Sequence, residues 1–419
     1  MTGWLKSFAA EIQADSPAAV TFHFERYRAI SLGISETAST TFLMLIAVRW
    51  FEAGPTAKAL LACANSAGFL LAPLVVSHVE RKQIPTAIAA SRLSYFGALC
   101  FLMMAAVPTL PVFVVGSLFG IATLSAAIPL QTQLYQDNYP SAIRGRLFSR
   151  TTMIRILAGG LFGFFAGQLL NGRLQYFQLL LVAFAGALAL GGWCLGQCPS
   201  RTLERIEGRV LFRGFRFLRT DAVFRNTLIF WMIMGFGNLM MVPLRVEYLA
   251  NPRYGLELSE VQIAILVSVI PSIARLLLSP VWGVLFDRMN FFWLRVAVNC
   301  GFMVGVLTFF TSDSALGLAL GAVFYGIGNA GGEIAWGLWV TKFAPSERVA
   351  DYMSVHTFFT GIRGIAAPLV SFHLATILPI TTLGIFSAGM ILLSSVLMLL
   401  ESRNPAAGKL AGRALDPLG

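Results

Sequence analysis

Twelve long apolar segments constrain the fold of this chain more than any other feature. Most are about 20 residues long, the length that an α-helix needs to cross the hydrocarbon core of a bilayer. The segments are Ala29–Val48, Ala59–Val76, Ile84–Val107, Val112–Leu134, Thr151–Leu170, Phe177–Leu195, Thr227–Leu244, Val261–Phe286, Val296–Thr311, Ala315–Val340, Met353–Ile377 and Thr381–Leu400. Because backbone groups in lipid must be hydrogen-bonded within the segment, these stretches predict helices. We expect an all-α membrane protein with 12 transmembrane helices.

The composition excludes several other classes of protein. Apolar residues make up 57% of the chain and charged residues only 12%, whereas soluble domains usually carry about 25% charged residues. The five cysteines lie in apolar segments without a C-x-x-C pair, and no phosphate loop or nucleophile–base pair occurs. We therefore expect no metal, no cofactor and no enzymatic activity. The net charge of +11 is spread over short loops, which argues against a nucleic-acid partner.

The distribution of basic residues predicts the orientation in the membrane. With the N-terminus in the cytosol, 22 of the 31 Lys and Arg residues fall in cytosolic segments and 4 in outer loops. Positive residues are enriched in the cytosolic loops of membrane proteins. The sequence thus predicts a multi-pass protein of the plasma membrane, here a bacterial inner membrane, with both termini in the cytosol.

The longest connection divides the chain into two sets of six spans. The predicted units are a cytosolic N-terminal segment (1–28), a six-helix bundle (29–198), a linker (199–224), a second six-helix bundle (225–400) and a cytosolic tail (401–419). Within the linker, Arg205, Arg209, Arg213 and Arg216 share one helical face. The stretch Arg201–Asp221 therefore suits a basic amphipathic helix on anionic lipids. The alternative is a simple tether between the two bundles.

The two halves resemble each other where their even-numbered spans end. A single offset of 207 positions aligns Pro73 and Glu80 of the first half with Pro280 and Asp287 of the second, and Arg follows each acid. Parallel repeats of six spans form two similar bundles with a substrate path between them. We expect two pseudo-symmetric six-helix bundles.

Two loop sequences resemble those of a known family. The run Gly-Val-Leu-Phe-Asp-Arg from Gly283 to Arg288, with Arg295 beyond it, is similar to the motif G-x-x-x-D-R-x-G-R-R of the major facilitator superfamily. The run from Pro140 to Arg146 is similar to the loop that follows span 4 in that superfamily. The resemblance implies a secondary transporter that works by alternating access, with a central cavity lined by spans 1, 4, 7 and 10.

The sequence also departs from that family in two places. Val112–Leu134 contains no basic residue, so the arginine motif of proton-driven members is missing from span 4. Span 5 has Gly159, Gly163 and Gly167 but lacks the proline of the drug/proton antiporter motif. Both departures argue against a typical drug exporter.

Charged and polar side chains inside the spans are the candidates for the transport site. A charge in lipid is costly unless it is paired or faces water. The predicted substrate or coupling-ion residues are Glu36, Gln131, Asn238, Arg275, Asn329, Glu333 and Arg363. Arg275 and Arg363 lie about 18 Å deep, near the midplane, and would bind an anionic group while a carboxylate carries a proton. The alternative is that these charges, together with Arg155, form structural salt bridges between helices.

The family resemblance implies a second set of residues at the cytosolic gate. These are Glu80, Arg81, Arg144, Gly283, Asp287 and Arg288. In the family the acidic loop residue pairs with a neighbouring helix or basic loop residue and holds one access state. The alternative is a set of helix-end charges on solvated loops.

The sequence as a whole favours a secondary active transporter for a small polar or anionic solute, coupled to protons. Its partners would be that solute, protons and the anionic lipids under the linker. One alternative is an exporter of amphipathic, lipid-like or drug-like compounds, suggested by 34 Phe and 14 Met residues. A second is a non-transporting receptor or scaffold, which no appended domain supports.

Overall fold

The computed structural model describes residues 16–203, 213–256, 258–344 and 349–404. Within these ranges the chain forms helices and no strand, and 12 helices are long and apolar enough to cross a membrane. Helices α1 to α12 are Pro17–Arg49, Pro55–Lys82, Thr86–Ala106, Leu110–Asn138, Ser141–Leu170, Phe177–Gly196, Ala222–Ala250, Glu260–Phe286, Phe291–Phe310, Ala315–Leu338, Val349–Ile377 and Ile380–Ser402. Short helical turns lie at Leu174–Tyr176, Arg213–Arg216, Phe217–Thr220, Pro252–Tyr254 and Trp339–Lys342. The predicted fold class is confirmed, and the chain is a multi-pass membrane protein.

The same helix pairs pack together in both halves. In the first half, α1 packs on α5 and α6, α2 on α4, and α3 on α6. In the second half, α7 packs on α11 and α12, α8 on α10, and α9 on α12. Between the halves, α2 packs on α11 and α5 on α8, two contacts that the six-helix offset interchanges. The two predicted pseudo-symmetric bundles are therefore present, with an interface formed by α2, α5, α8 and α11.

The first helix begins at Pro17, whereas the sequence predicted the bundle to start at residue 29. Ser16 caps its N-terminus, and proline at the first position suits a helix start. The additional turns carry charges that hydropathy assigns to solvent. Arg28 is buried, yet it lies 2.6 Å from a Glu25 oxygen and 3.2 Å from the Gln131 amide oxygen on α4. Pairing inside the protein thus allows this polar segment to remain helical.

Two π-helical turns lie next to each other at the bundle interface. Residues Ala38–Phe42 of α1 and Ile265–Val269 of α8 form these turns, and the two turns are in contact. A π-turn widens the helix and leaves its backbone hydrogen bonds irregular, and such turns are frequent at functional sites. Glu36 precedes the first turn by two residues, so the irregular backbone adjoins a predicted site residue.

The linker packs against the second bundle at its described end, while residues 204–212 lie outside the described ranges. The Phe215 ring lies 5.3 Å from the Phe358 ring, and the Phe217 ring stacks 4.4 Å from that of Tyr352. Apolar side chains at this end therefore contact protein. The interaction of the basic face with lipid remains a prediction.

Candidate functional site

Four charged side chains from both bundles meet at the interface. Arg275 Nη1 on α8 donates to Glu36 Oε1 on α1 at 2.7 Å, and its Nη2 donates to Glu333 Oε1 on α10 at 2.6 Å. Arg155 on α5 approaches an oxygen of each carboxylate at 3.6 Å. We call these residues the charge quartet. Two arginines balance two glutamates, so the quartet is electrically neutral and joins the first bundle to the second.

The quartet combines a buried centre with accessible edges. The Arg275 side chain is only 6% exposed, whereas those of Arg155, Glu36 and Glu333 are 30%, 32% and 38% exposed. The bridging guanidinium is therefore desolvated, while both carboxylates keep contact with open space.

A partly open cavity lies beside the quartet. Its charged and aromatic lining residues are Glu36, Arg155, Arg245, Arg275 and Tyr325. Hydroxyl and amide groups line it as well, from Thr37, Thr40, Ser268, Ser272 and Asn329. A small solute that carries charge and hydrogen-bonding groups fits such a wall, because few polar groups set specificity in binding sites.

Arg245 on α7 is a buried cation in this wall. The residue is 4% exposed, and its guanidinium carbon lies 3.6 Å from the centroid of the Tyr325 ring. Its Nε donates to the Val242 carbonyl at 3.3 Å, and its Nη1 has no hydrogen-bond partner. Within the described ranges it forms no ion pair with a carboxylate. A buried charge without a counter-ion is destabilising, so this guanidinium favours an incoming anion.

A smaller, mostly apolar cavity adjoins the first. The two cavities share Val242, Arg245 and Tyr325 as a common wall. The other lining residues of the small cavity are Asn238, Met241, Gly305, Val306, Phe309, Phe310 and Gly321. The Arg245–Tyr325 pair therefore separates a polar compartment from an apolar one.

Two further ion pairs join the bundles on the side opposite the first and last described residues, which we call the far side. Arg49 Nη1 contacts Glu260 Oε1 at 2.5 Å, and Lys58 Nζ contacts Glu247 Oε1 at 2.7 Å. Arg49 also donates to the carbonyls of Ala250 and Leu258. Each pair takes its cation from the first bundle and its acid from the second. We call these two pairs the far-side clasp.

The seven predicted substrate or coupling-ion residues are divided between several places. Glu36, Arg275 and Asn329 line the main cavity, Glu333 completes the quartet, and Asn238 lines the small cavity. Gln131 instead accepts a hydrogen bond from Arg28 inside the first bundle. Arg363 lies inside the second bundle, where its Nη1 donates to the Trp231 carbonyl at 2.8 Å. Five of the seven are thus at the bundle interface or its adjoining cavity.

Sequence reasoning did not select Arg245 and Tyr325, and it treated Arg155 only as a deep charge or a salt-bridge partner. Arg245 counted as an outer-loop residue because the predicted span ended at Leu244. The helix in fact continues to Ala250. The apolar residues Val246, Leu249 and Ala250 carried that signal, since they extend the hydrophobic pattern beyond the arginine.

The predicted gate residues lie at the end of the molecule that carries the first and last described residues. Glu80 and Arg81 are in the last turns of α2, Gly283 is near the end of α8, and Arg288, two residues past Phe286, is the last helical residue there. Side chains of Arg144 and Asp287 lie outside what the structure describes. The gating role of the whole set stays a prediction.

Comparison with known proteins gives one family match, in the second half of the chain. Residues 248–418 match the model of the Major Facilitator Superfamily. No curated protein matches the chain. The fold is shared with the nucleoside transporter NupG at 14% identity and a TM-score of 0.72, covering 92% of this chain and 99% of that one. The resemblance to the major facilitator superfamily is confirmed.

Two other solved structures of similar fold are named for different bound or transported molecules. A POT family transporter in complex with a thioalcohol-conjugated peptide is 15% identical with a TM-score of 0.69, covering 92% of this chain and 96% of its own. The human organic anion transporter MFSD10 is 15% identical with a TM-score of 0.63, covering 92% of this chain and 100% of its own. At such identities the likeness concerns the fold alone, so what this protein binds must be argued from its own cavity.

Proposed function

We propose that this protein is a secondary active transporter that moves a small organic anion between its two bundles by alternating access. The family match and the fold support a transporter of the major facilitator type. We infer an anionic solute because the main cavity has an excess of positive charge. The quartet balances itself, and Arg245 adds one positive charge that no described carboxylate neutralises. We further propose that the membrane is a bacterial inner membrane and that both termini are cytosolic, on the distribution of basic residues.

The binding step follows from the surroundings of Arg245. A carboxylate or phosphate group of the solute would accept hydrogen bonds from Nη1 and neutralise a guanidinium that is already desolvated. Tyr325 holds the guanidinium by a cation–π contact, so little side-chain entropy is lost on binding. The hydroxyl groups of Thr37 and Ser268 offer further hydrogen bonds to the rest of the solute.

Proton coupling is proposed for the two carboxylates of the quartet. Arg275 bridges Glu36 of the first bundle and Glu333 of the second. Protonation of one carboxylate would remove one of these attractions, which weakens the tie between the bundles. The solute's anionic group could then occupy the released part of Arg275. Exchange of one ion pair for another would link solute binding, protonation and movement of the bundles.

Flux measurements on purified protein in proteoliposomes test this proposal. The probe is a panel of radiolabelled mono- and dicarboxylates, with an acid gradient imposed across the membrane. For the anions that the wild type accumulates, we expect Arg245→Gln to reduce uptake about tenfold or more, because a charge-assisted hydrogen bond is lost. Arg245→Lys should retain part of the activity, and Arg92→Gln, which changes an exposed arginine, should retain it fully. Wild-type uptake by Arg245→Gln would contradict the proposed anion site.

A second candidate, an exporter of amphipathic anions, is favoured by one observation. The apolar cavity lies directly behind Arg245 and Tyr325, so an anionic head on Arg245 would place an attached apolar group near Phe309 and Phe310. Competition by straight-chain carboxylates distinguishes the two candidates. Inhibition that strengthens steadily with chain length supports the amphipathic solute, whereas inhibition by short acids alone supports the small polar one.

A further inference from the structure

A second group of buried cations lies inside the second bundle, outside both cavities. Arg295 on α9 and Arg363 on α11 are 2% and 9% exposed. Both contact Trp231 of α7. The Arg295 guanidinium carbon lies 4.1 Å from the ring centroid, and Arg363 Nη1 donates to the backbone carbonyl at 2.8 Å. Two positive charges therefore share one tryptophan in the interior of the bundle.

Neither guanidinium has a carboxylate partner among the described residues. Arg295 Nη2 contacts only the weakly accepting sulfur of Met234, at 3.3 Å, and its Nε and Nη1 have no acceptor. Arg363 Nε has no acceptor either. Arg275, in contrast, is equally buried but contacts two carboxylates. The second bundle thus contains two desolvated cations that the described protein leaves unbalanced.

Neutral N–H groups without acceptors also lie near Trp231. His356 is fully buried, and its ring lies 5.3 Å from that of Trp231 and 5.2 Å from that of Trp339. Neither ring nitrogen of His356 has a partner, nor does Nε1 of Trp339. A neutral imidazole always carries one N–H, so His356 and Trp339 each add one N–H donor without an acceptor.

Burying two like charges and several unsatisfied donors together is strongly unfavourable. One negative ion removes both problems, because it supplies the missing charge and accepts several N–H groups at once. The orphan donor atoms are fully enclosed, with no water-sized space beside them, so the ion must be small, must lose its water and must displace neighbouring side chains slightly. We propose that a small inorganic anion of the chloride type binds inside the second bundle, between Arg295 and Arg363 and beside Trp231, Trp339 and His356.

The consequence would be structural. Trp231 lies on α7, Arg295 on α9 and Arg363 on α11, and the ion would neutralise the two charges that otherwise repel each other. The site is separate from the main cavity, because neither arginine lines it. Its occupancy should therefore stabilise the second bundle whether or not the transported solute is present.

Thermal unfolding of the purified full-length protein tests the site. Sodium chloride or sodium bromide replaces sodium gluconate at constant ionic strength and pH, without any organic acid of the transport panel. We expect a saturable rise in Tm of about 2 °C or more with either halide. Arg295→Met should abolish this rise, and in gluconate it should have a higher Tm than the wild type because one unbalanced charge is gone. Arg92→Met, at an exposed arginine, should keep the full halide response.

Several outcomes would overturn the proposal. These are a wild-type Tm that is equal in gluconate and chloride, a halide response that persists in both Arg295→Met and Arg363→Met, and a response lost in Arg245→Met but kept in Arg295→Met. The last result would place the ion in the main cavity. If the variants do not fold, crystals of the wild type grown with bromide decide the matter. Anomalous density beside Trp231 supports the site, and its absence there refutes it.

Discussion

At the scale of single residues, Arg275 is the residue on which the most interactions converge. Its guanidinium is desolvated and bridges carboxylates from two bundles at 2.7 and 2.6 Å. Arg155 contacts the same two carboxylates more loosely, at 3.6 Å. The strength of the quartet therefore depends chiefly on Arg275, and its charge balance can be altered one residue at a time.

Removing the Arg275 charge should destabilise the protein. In Arg275→Met, two glutamates share only Arg155, and we expect a loss of about 1–3 kcal/mol in the free energy of unfolding. The loss stays moderate because both carboxylates are about one third exposed and regain some water. The double variant Arg275→Met with Glu333→Gln should recover part of the loss, since Arg155 then balances Glu36. Chemical denaturation measures both, and equal losses in the single and double variants would contradict the charge argument.

Removing a carboxylate of the quartet should abolish accumulation of the solute but leave exchange of the solute intact. In Glu36→Gln or Glu333→Gln, the coupling proton has lost its site, but the anion can still bind to Arg245. We expect at least one of these variants to exchange labelled for unlabelled solute near the wild-type rate while failing to accumulate it under an acid gradient. Accumulation by both variants at the wild-type level would rule out the quartet as the proton carrier.

At the scale of helices, close packing of α1 on α5 determines where Glu36 meets Arg155. A Cβ atom on Gly33 would lie 2.3 Å from the Arg155 carbonyl oxygen and 2.8 Å from the Gly159 nitrogen. Both are backbone atoms, which cannot move aside without moving the helix. The absence of a side chain at Gly33 therefore brings the two helices close enough for the quartet to form, one turn before the π-helical segment of α1.

Adding a methyl group at Gly33 should disturb both packing and the site. We expect Gly33→Ala to lower the free energy of unfolding by about 1–3 kcal/mol, as overpacking does, and to reduce uptake. Gly186→Ala is the matched control, because a Cβ atom there meets nothing within 4 Å. Thermal unfolding and the flux measurement report the two effects. A Gly33→Ala protein as stable and active as Gly186→Ala would show that α1 and α5 are not held by this contact.

At the scale of the whole molecule, the far-side clasp joins the two bundles on one face. Lys58 and Glu247 are almost fully buried, and Glu260 also accepts a hydrogen bond from the Gly172 backbone N–H of the first bundle. The proposed alternating access would require these contacts to break when the far side opens. The observed arrangement therefore represents a state with the far side joined.

Neutralising the clasp should shift the population toward far-side opening. In Glu247→Gln with Glu260→Gln, both cations lose their partners, and each pair lost favours separation of the bundles. A cysteine introduced as Thr40→Cys in the main cavity, with Cys300→Ser to remove an exposed thiol, reports access by maleimide reagents added on the far side. We expect faster labelling in the double variant, and an unchanged rate in Glu52→Gln, an exposed acid on the same side. Equal labelling rates in all backgrounds would contradict a gating role for the clasp.

Much of this architecture could be predicted from the sequence because each transmembrane helix meets the constraints of the bilayer largely by itself. Each span must satisfy its own backbone and remain apolar, so length and hydropathy identify it without knowledge of its neighbours. Where a helix end depends on contacts with other helices, the predicted bounds differ from the observed ones. The segment with Glu25 and Arg28 looks like solvated chain until Gln131 on α4 is brought against it, and Arg245 looks like a loop residue until α7 is seen to continue.

The sequence alone determined that the chain forms twelve helices in two related sets, and it indicated that deep charges would be important. It could not say which charges meet, because that depends on helix rotation and on contacts between residues more than 200 positions apart, such as Glu36 and Arg275. Only the tertiary structure showed that the buried arginines have different surroundings. Arg275 has two carboxylates, Arg245 faces a cavity, and Arg363 lies beside a second cation, since electrostatic energy in lipid depends on what lies within a few ångströms.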